Sequence, residues 1–151
     1  GYIPGAGDEV PAALRQIGCA VTTLDEKTLT DSDLAPFDAI VVGVRAYNVD
    51  DRLRLSNPRL LEYVSGGGTL VVQYQVNSFL QKVDDPLGPY PFRIGRERVS
   101  VEEAEIRVLK PNHPALGFPN KITAKDFEGW VQERGLYFAN AWAPKYATLL
   151  S

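Results

Sequence analysis

Gln73, Tyr74 and Gln75 stand at the end of an unbroken aliphatic run, Thr69-Leu70-Val71-Val72, and Arg45 and Tyr47 follow a second such run, Ala39–Val44. Amide, phenol and guanidinium groups of this kind hold a polar ligand without reacting with it. An arginine grips a carboxylate or phosphate through paired N–H donors, or else pairs with an internal acid. Tyrosine rings stack on a sugar face while their hydroxyls hydrogen-bond to it. Side chains alternate along a strand, so at most one of Gln73 and Gln75 faces a given cleft. Asp126 adjoins Phe127 and lies close to Trp130. Partial burial there would raise its pKa and suit a ligand or catalytic role, whereas its spacing from Thr123 suits a helix cap. If the second half of the chain folds back over the first, Asp126 and Trp130 close a pocket lined by Arg45, Tyr47, Gln73, Tyr74 and Gln75. These seven residues are the candidate ligand-binding set, and none is assigned a catalytic step.

Other reactive types are sparse. The chain has one histidine and one cysteine in 151 residues. His113, between Asn112 and Pro114, reads as a turn residue with no nucleophile beside it to activate. Cys19, in a turn leading into a strand, reads as a small buried hydrophobe. No disulfide can form within the chain, no spacing of His, Cys, Asp or Glu marks a metal site, and no cofactor is expected. Gly5-Ala6-Gly7 lacks the Gly-Lys-Ser/Thr of a phosphate loop, and the neighbouring Asp8 and Glu9 would repel phosphate. The adjacent acids Asp50–Asp51 and Asp84–Asp85 read as solvated loops. A net charge of −3 with no basic cluster argues against nucleic acid or an anionic membrane surface as a partner. No apolar run approaches the roughly 18 residues of a membrane-spanning helix.

The elements that must position these groups alternate. Gly1–Ile3 reads as a strand, followed by a loop and a helix from Val10 with Asp8 at its cap, Pro11 in its first turn and Val10, Leu14 and Ile17 as its buried stripe. Ala20–Leu24 reads as a strand. A polar stretch then carries Leu29 and Leu34 as anchors and a short helix near Asp31–Leu34. The strand Ala39–Val44 follows, then a loop, Arg45–Asp51. The next helix lies within Asp51–Val64, with Pro58 as a break or a fresh start. Gly66-Gly67-Gly68 ends that helix, and Thr69–Val72 is apolar enough for the middle of a covered parallel sheet. Strands alternating with helices give an α/β fold with right-handed crossovers, and ligand sites in such sheets lie beyond the carboxyl ends of the strands. Asp84–Phe92, with Pro86, Pro89 and Pro91, excludes a helix or a central strand. Arg96–Glu102 and Glu105–Leu109 alternate as edge strands, Lys110–Leu116 is a turn, Ile122–Trp130 contains the Thr123/Asp126 capping spacing, and Gly135–Phe138 is a strand before a turn at Trp142-Ala143-Pro144.

This order resembles the class I glutamine amidotransferase-like fold, a three-layer α-β-α, flavodoxin-like arrangement with a mainly parallel sheet. The resemblance rests on Phe37–Gly43 and Leu61–Gln75. The family's Gly-x-Cys-x-Gly elbow corresponds to Gln73-Tyr74-Gln75-Val76-Asn77, so Gln75 stands at the nucleophile position and Gln73 and Asn77 replace the glycines. His113-Pro114 is not followed by the glutamate that completes the family's triad. The resemblance therefore implies no amidotransferase chemistry here. A second likeness covers nearly the whole chain. Ile3–Pro11, Phe37–Tyr47, Leu87–Phe92 and Asn120–Phe138 together resemble the C-terminal, amidotransferase-like region of large bacterial PIG-L (LmbE-like) deacetylases. In those proteins a separate N-terminal domain binds zinc and removes N-acetyl groups from amino sugars. Its Pro-His-Pro-Asp-Asp signature does not occur here.

The resemblance implies one domain, residues 1–151, cut at both ends from a longer multidomain protein that is bacterial and compatible with export. The expected function is a non-catalytic ligand-binding or scaffolding domain accessory to an N-acetyl-sugar deacetylase, with a sugar or the deacetylase domain as partner. The competing expectation is a hydrolase built on Asp126, Arg45 and Tyr47.

Overall fold

A computed structural model describes residues 1–78, 87–129 and 135–151. The chain divides into two compact units, Gly1–Pro89 and Tyr90–Ser151.

The first unit is built on a three-stranded parallel sheet in the order β1–β2–β3: β1 is Tyr2–Ile3, β2 Ala39–Val42 and β3 Thr69–Val72. Tyr2 pairs with Val41 and Ile3 with Val42, and Ala39 through Val42 pair with Thr69 through Val72. The expected strand Ala20–Leu24 contracts to a single parallel bridge between Thr23 and Tyr2, on the far side of β1. β2 is thus central. β3, expected in the middle, is the edge of the sheet among the described residues, and Val71 is 46 % exposed. An aliphatic run marks a strand without saying how many neighbours it has.

Among the described residues, four helices accompany the sheet: α1 (Val10–Gln16), α2 (Glu26–Asp31), α3 (Ala46–Val49) and α4 (Leu53–Ser65). Helix α1 starts where expected, with Asp8 accepting the Val10 N–H at 2.9 Å and proline in its first turn. Its apolar stripe is not buried, however. No residue of α1 is fully covered, and Ile17, which is the C-cap and so lies past the last turn, is 77 % exposed. Cys19 is likewise exposed and not a core residue, because the segment that carries it runs outside the sheet.

Helix α2 lies earlier than Asp31–Leu34. Asp25 caps it by accepting from the Thr28 N–H (2.8 Å) and hydroxyl (2.7 Å), a signal stronger than the apolar spacing. Leu29 and Leu34 are buried anchors as expected. Helix α4 runs through Pro58 with no fresh start, since a proline forfeits one helical hydrogen bond without ending a helix whose other face is packed. Leu60 and Tyr63 are its buried side chains near the end, Leu61 and Val64 being half-buried. Gly67, at φ +102°, turns the chain out of α4 into β3.

Ile3, Leu24, Leu29 and Leu53 line a common cavity, which places α2 and α4 over the Ile3–Val42 face of the sheet. Leu24, Ile40, Val42, Tyr47 and Leu60 form the centre of this core. Two arginines of the α4 region hold α2 in place. Arg59 donates to the Leu29 and Ser32 carbonyls near one end of α2, and Arg52 pairs with Glu26 at the other.

The described residues of the second unit hold two antiparallel ribbons. β4 (Phe92–Ile94) pairs with β7 (Ala139–Trp142), and β5 (Arg98–Val99) pairs with β6 (Gly135–Leu136). β6 keeps two residues of the expected Gly135–Phe138 strand, β7 occupies Ala139–Trp142, where no strand was expected, and β5 keeps only two residues of the expected Arg96–Glu102 strand. In the expected Glu105–Leu109 strand, Arg107 exchanges backbone hydrogen bonds with Ser151, Leu109 donates to Leu149, and Val108 forms an isolated bridge with Leu150. The predicted turn at Lys110–Leu116 contains the start of a short helix, α5 (Pro114–Gly117), whose cap is His113 Nδ1, 3.2 Å from the Ala115 N–H. Asp84 and Asp85 lie outside the described residues.

Candidate functional site at the carboxyl edge of the sheet

Three segments meet beyond the carboxyl ends of the parallel strands: Pro4–Asp8 after β1, Gly43–Tyr47 after β2 and Gln73–Asn77 after β3. The strand order makes this the place where a ligand would ordinarily sit. Here the segments are laced to one another instead.

Gln75 is the centre of the lacing. It is only 4 % exposed. Its Oε1 accepts the Tyr47 N–H at 3.1 Å, and its Nε2 donates to the Gln73 carbonyl at 2.9 Å and to the Gly43 carbonyl at 3.4 Å. One neutral amide thereby satisfies a buried donor and two carbonyls from two different loops. Asn48 repeats the device one step further on. Its amide donates to the Val76 carbonyl (2.9 Å) and its Oδ1 accepts the Val76 N–H (2.8 Å). The Arg45 N–H donates to the Tyr74 carbonyl at 2.8 Å.

Tyr47 is fully buried on α3, which replaces the loop expected at Arg45–Asp51. Its hydroxyl donates to Asn57 Oδ1 on α4 at 2.6 Å, and burial pushes its pKa up to about 12. Its ring is therefore a core group in this structure and not an exposed stacking platform. Arg45, half-buried, is the N-cap of α3 at φ 58°, a left-handed conformation uncommon for a non-glycine residue. Tyr74 is 39 % exposed. Gln73 is half-buried, and its Oε1 has no hydrogen-bond partner among the described residues. So three of the five expected residues, Arg45, Gln73 and Tyr74, retain some surface, while Tyr47 and Gln75 are spent inside the fold.

Asp8 is the participant that sequence reasoning placed only at a helix start. Its Oδ2 accepts the Tyr2 hydroxyl at 2.5 Å and the Val44 N–H at 3.3 Å, while Oδ1 takes the Val10 N–H. Burial alone would raise its pKa, but these three donors together hold it below the ordinary carboxylate range. The Tyr2 hydroxyl moves upward, first because it is desolvated and then because Asp8 lies against it. The Ala6 N–H donates to the Val44 carbonyl at 2.7 Å, and a Cβ on Gly5 would lie 2.0 Å from that oxygen. Gly5 is thus a glycine of close approach between two loops, and the β1 loop is a brace.

Asp126 belongs to the second unit and is exposed, not partly buried as expected. It completes a capping box, with Oδ2 accepting the Thr123 N–H at 2.6 Å and the Thr123 hydroxyl at 3.1 Å. Trp130 lies outside the described residues.

A cavity of about 570 Å³ is at the amino edge of the first unit, between Phe37–Asp38, Arg59, Tyr63 and Gly66–Gly68. A smaller one, about 210 Å³, lies beyond β1 and the Thr23 bridge, under α2 and α4. In the second unit a cavity of about 350 Å³ is lined by Phe92, Phe138, Trp142 and Tyr146. No helix among the described residues is long and apolar enough to cross a membrane. No family model matches the chain, and comparison with curated proteins and with solved structures gives no match.

Proposed function

We propose that this chain is a non-catalytic ligand-binding or scaffolding domain of the flavodoxin-like, class I glutamine amidotransferase-like type, accessory to a PIG-L-type N-acetyl-sugar deacetylase. The observation that carries the non-catalytic part is Gln75. At the position where the resembling fold carries its nucleophile, this residue is buried and its amide is committed to three backbone groups. A carboxamide in that state neither attacks a carbonyl nor takes up a proton. The sequence of strands across the sheet, with Thr23 beside β1 and then β2 and β3, supports the fold assignment. Binding is supported by the exposed aromatic surface of the second unit, where Trp142 and Phe138 stand beside Phe92 and Tyr146. The hydrolase reading receives no such support, because Asp126 is a cap and the Tyr47 hydroxyl is held by Asn57.

The test has two arms. The purified chain should release no ammonia from glutamine. It should also either bind N-acetylglucosamine oligomers in calorimetry or co-elute with a PIG-L-type deacetylase domain in size-exclusion chromatography. Glutaminase turnover would defeat the first half of the reading, and failure of both binding measurements would defeat the second.

A further inference from the structure

The Gln73 N–H donates to the Val42 carbonyl, so Thr69, Val71 and Gln73 turn their backbone groups toward β2. Alternation along the strand turns the N–H and C=O groups of Leu70 and Val72 the other way. Among the described residues no strand pairs with that outer edge. Donors and acceptors spaced along an open edge are a template for one kind of occupant, another β-strand. Folded proteins block such edges with a lysine, a proline, a bulge or a covering strand. Among the described residues none of these stands on β3. Val71 is 46 % exposed there.

Charge, register and an unmet acceptor say which strand. Residues 65–78 include no charged side chain, although 23 % of the chain is charged. Two copies related by a two-fold axis set each charge near the axis against its own twin, so a neutral edge is the kind that pairs with itself. With Val71 on that axis, Leu70 and Val72 of one copy exchange hydrogen bonds with Val72 and Leu70 of the other, the antiparallel pattern that their outward groups require. Tyr74 then lies opposite Gly68 of the second copy, which has no side chain to obstruct it. Thr69 lies opposite Gln73. Gln73 Oε1 is a buried atom with no hydrogen-bond partner among the described residues. The exposed Thr69 of the second copy brings a hydroxyl donor to that half-buried amide, across a pair in which side chains stand closest.

We infer that the outer edge of β3 docks a second copy of this chain, joining two three-stranded sheets into one across a two-fold axis at Val71. The contact is small. A short ladder and one row of side chains bury less than the roughly 1,200 Å² of a stable specific interface. The dimer is therefore a transient one that forms at high concentration. The inference goes beyond the accessory-domain reading and holds whether or not that reading does.

The experiment is sedimentation equilibrium of the whole chain, with reductant present so that the exposed Cys19 forms no cross-link. Between about 10 μM and about 1 mM the native chain should pass from monomer to mostly dimer, with a Kd on the order of 100 μM for so small a contact. Val71→Lys and Val71→Glu should each weaken self-association at least ~10-fold, because each sets two like charges on the axis. Mixed in equal amounts, the two variants should dimerise with each other within about 3-fold of the native Kd, since the axis then holds opposite charges. Val71 is nearly half in water, so both variants should keep their fold. If one does not, amide shifts of the native chain on dilution decide: Leu70 and Val72 should move while Val41, which donates to Gly1 on the β1 side, stays fixed. A native chain that stays monomeric throughout, a dimer that both variants leave intact, a mixture that stays monomeric, or Leu70 and Val72 amides unmoved by dilution would each overturn the assignment.

Discussion

At the scale of single residues, the carboxyl edge is held by side chains whose polar groups replace backbone partners. Gln75→Ala would leave the buried Tyr47 N–H without its acceptor, at a cost of about 1–3 kcal/mol for that one group. Urea unfolding should show this as a lower midpoint with an unchanged slope, whereas a normal midpoint would mean that Gln75 is not the brace. Arg45 tests the backbone itself. At φ 58° an L-residue is strained by about 1 kcal/mol or more and glycine is not. Arg45→Gly should therefore be more stable than Arg45→Ala by about 1 kcal/mol, a comparison that cancels whatever the lost guanidinium contributes. Asp8 predicts a pH dependence. Its folded pKa lies below the unfolded value, so its contribution is present above the ordinary carboxylate pKa and is lost as pH falls through the folded one. Tyr2 has the opposite sign. Its folded pKa is raised, so its contribution is complete below the unfolded tyrosine value and is lost at higher pH. Melting temperatures measured from pH 7 downward should fall more steeply below about pH 4 for the native chain than for Asp8→Asn. Parallel curves would show that Asp8 titrates alike in both states.

At the scale of elements, what was legible in the sequence was local chemistry, and what was not legible was neighbourhood. The β2 and β3 runs were readable because β-branched side chains announce a strand. The Asp8 and Thr123/Asp126 caps were readable because a cap lies within a few residues of what it caps. The end of α4 was readable from its glycines. The position of β3 at the sheet edge depends on pairing partners far away in sequence, and nothing in Thr69–Val72 encodes it. Gln75 was singled out for its place after a strand, but that its amide would face inward toward Gly43 and Tyr47 depended on the path of a different loop. The same logic explains Cys19 and Ile17, apolar types that burial statistics place inside and that short flanking elements leave uncovered. Substitution can separate the two strands. Ile40→Ala on β2 removes a fully buried side chain and should cost about 2–5 kcal/mol. Val71→Ala on β3 should stay within about 1 kcal/mol, because that side chain is nearly half in water. Comparable losses at the two positions in equilibrium unfolding would mean that the outer face of β3 is covered in solution.

At the scale of the whole molecule, the two units differ in how much core they own. The first gathers Leu24, Ile40, Val42, Tyr47 and Leu60 between a parallel sheet and α2 and α4. Among the described residues of the second, only Ile94 and Leu116 are buried apolar side chains. Its ribbons have two strands each, and a lone two-stranded ribbon is marginal in water. All four residues of β7 are exposed. Stability should therefore be unevenly distributed, since segments with few buried contacts open at lower free energy than the core does. Native-state hydrogen exchange reads this directly. The Val41 amide on β2 should exchange only through the highest-energy opening of the chain. The Gly95 and Tyr137 amides, which donate to the Phe138 and Glu97 carbonyls beside the ribbons, should exchange through openings well below it. The order also predicts the response to mild denaturant, which should raise exchange at Val41 steeply while leaving Gly95 and Tyr137 nearly flat, because a small local opening exposes little new surface. If all three amides converge on one free energy and one denaturant slope, the chain unfolds as a single cooperative body and the second unit draws its stability from more than its own core.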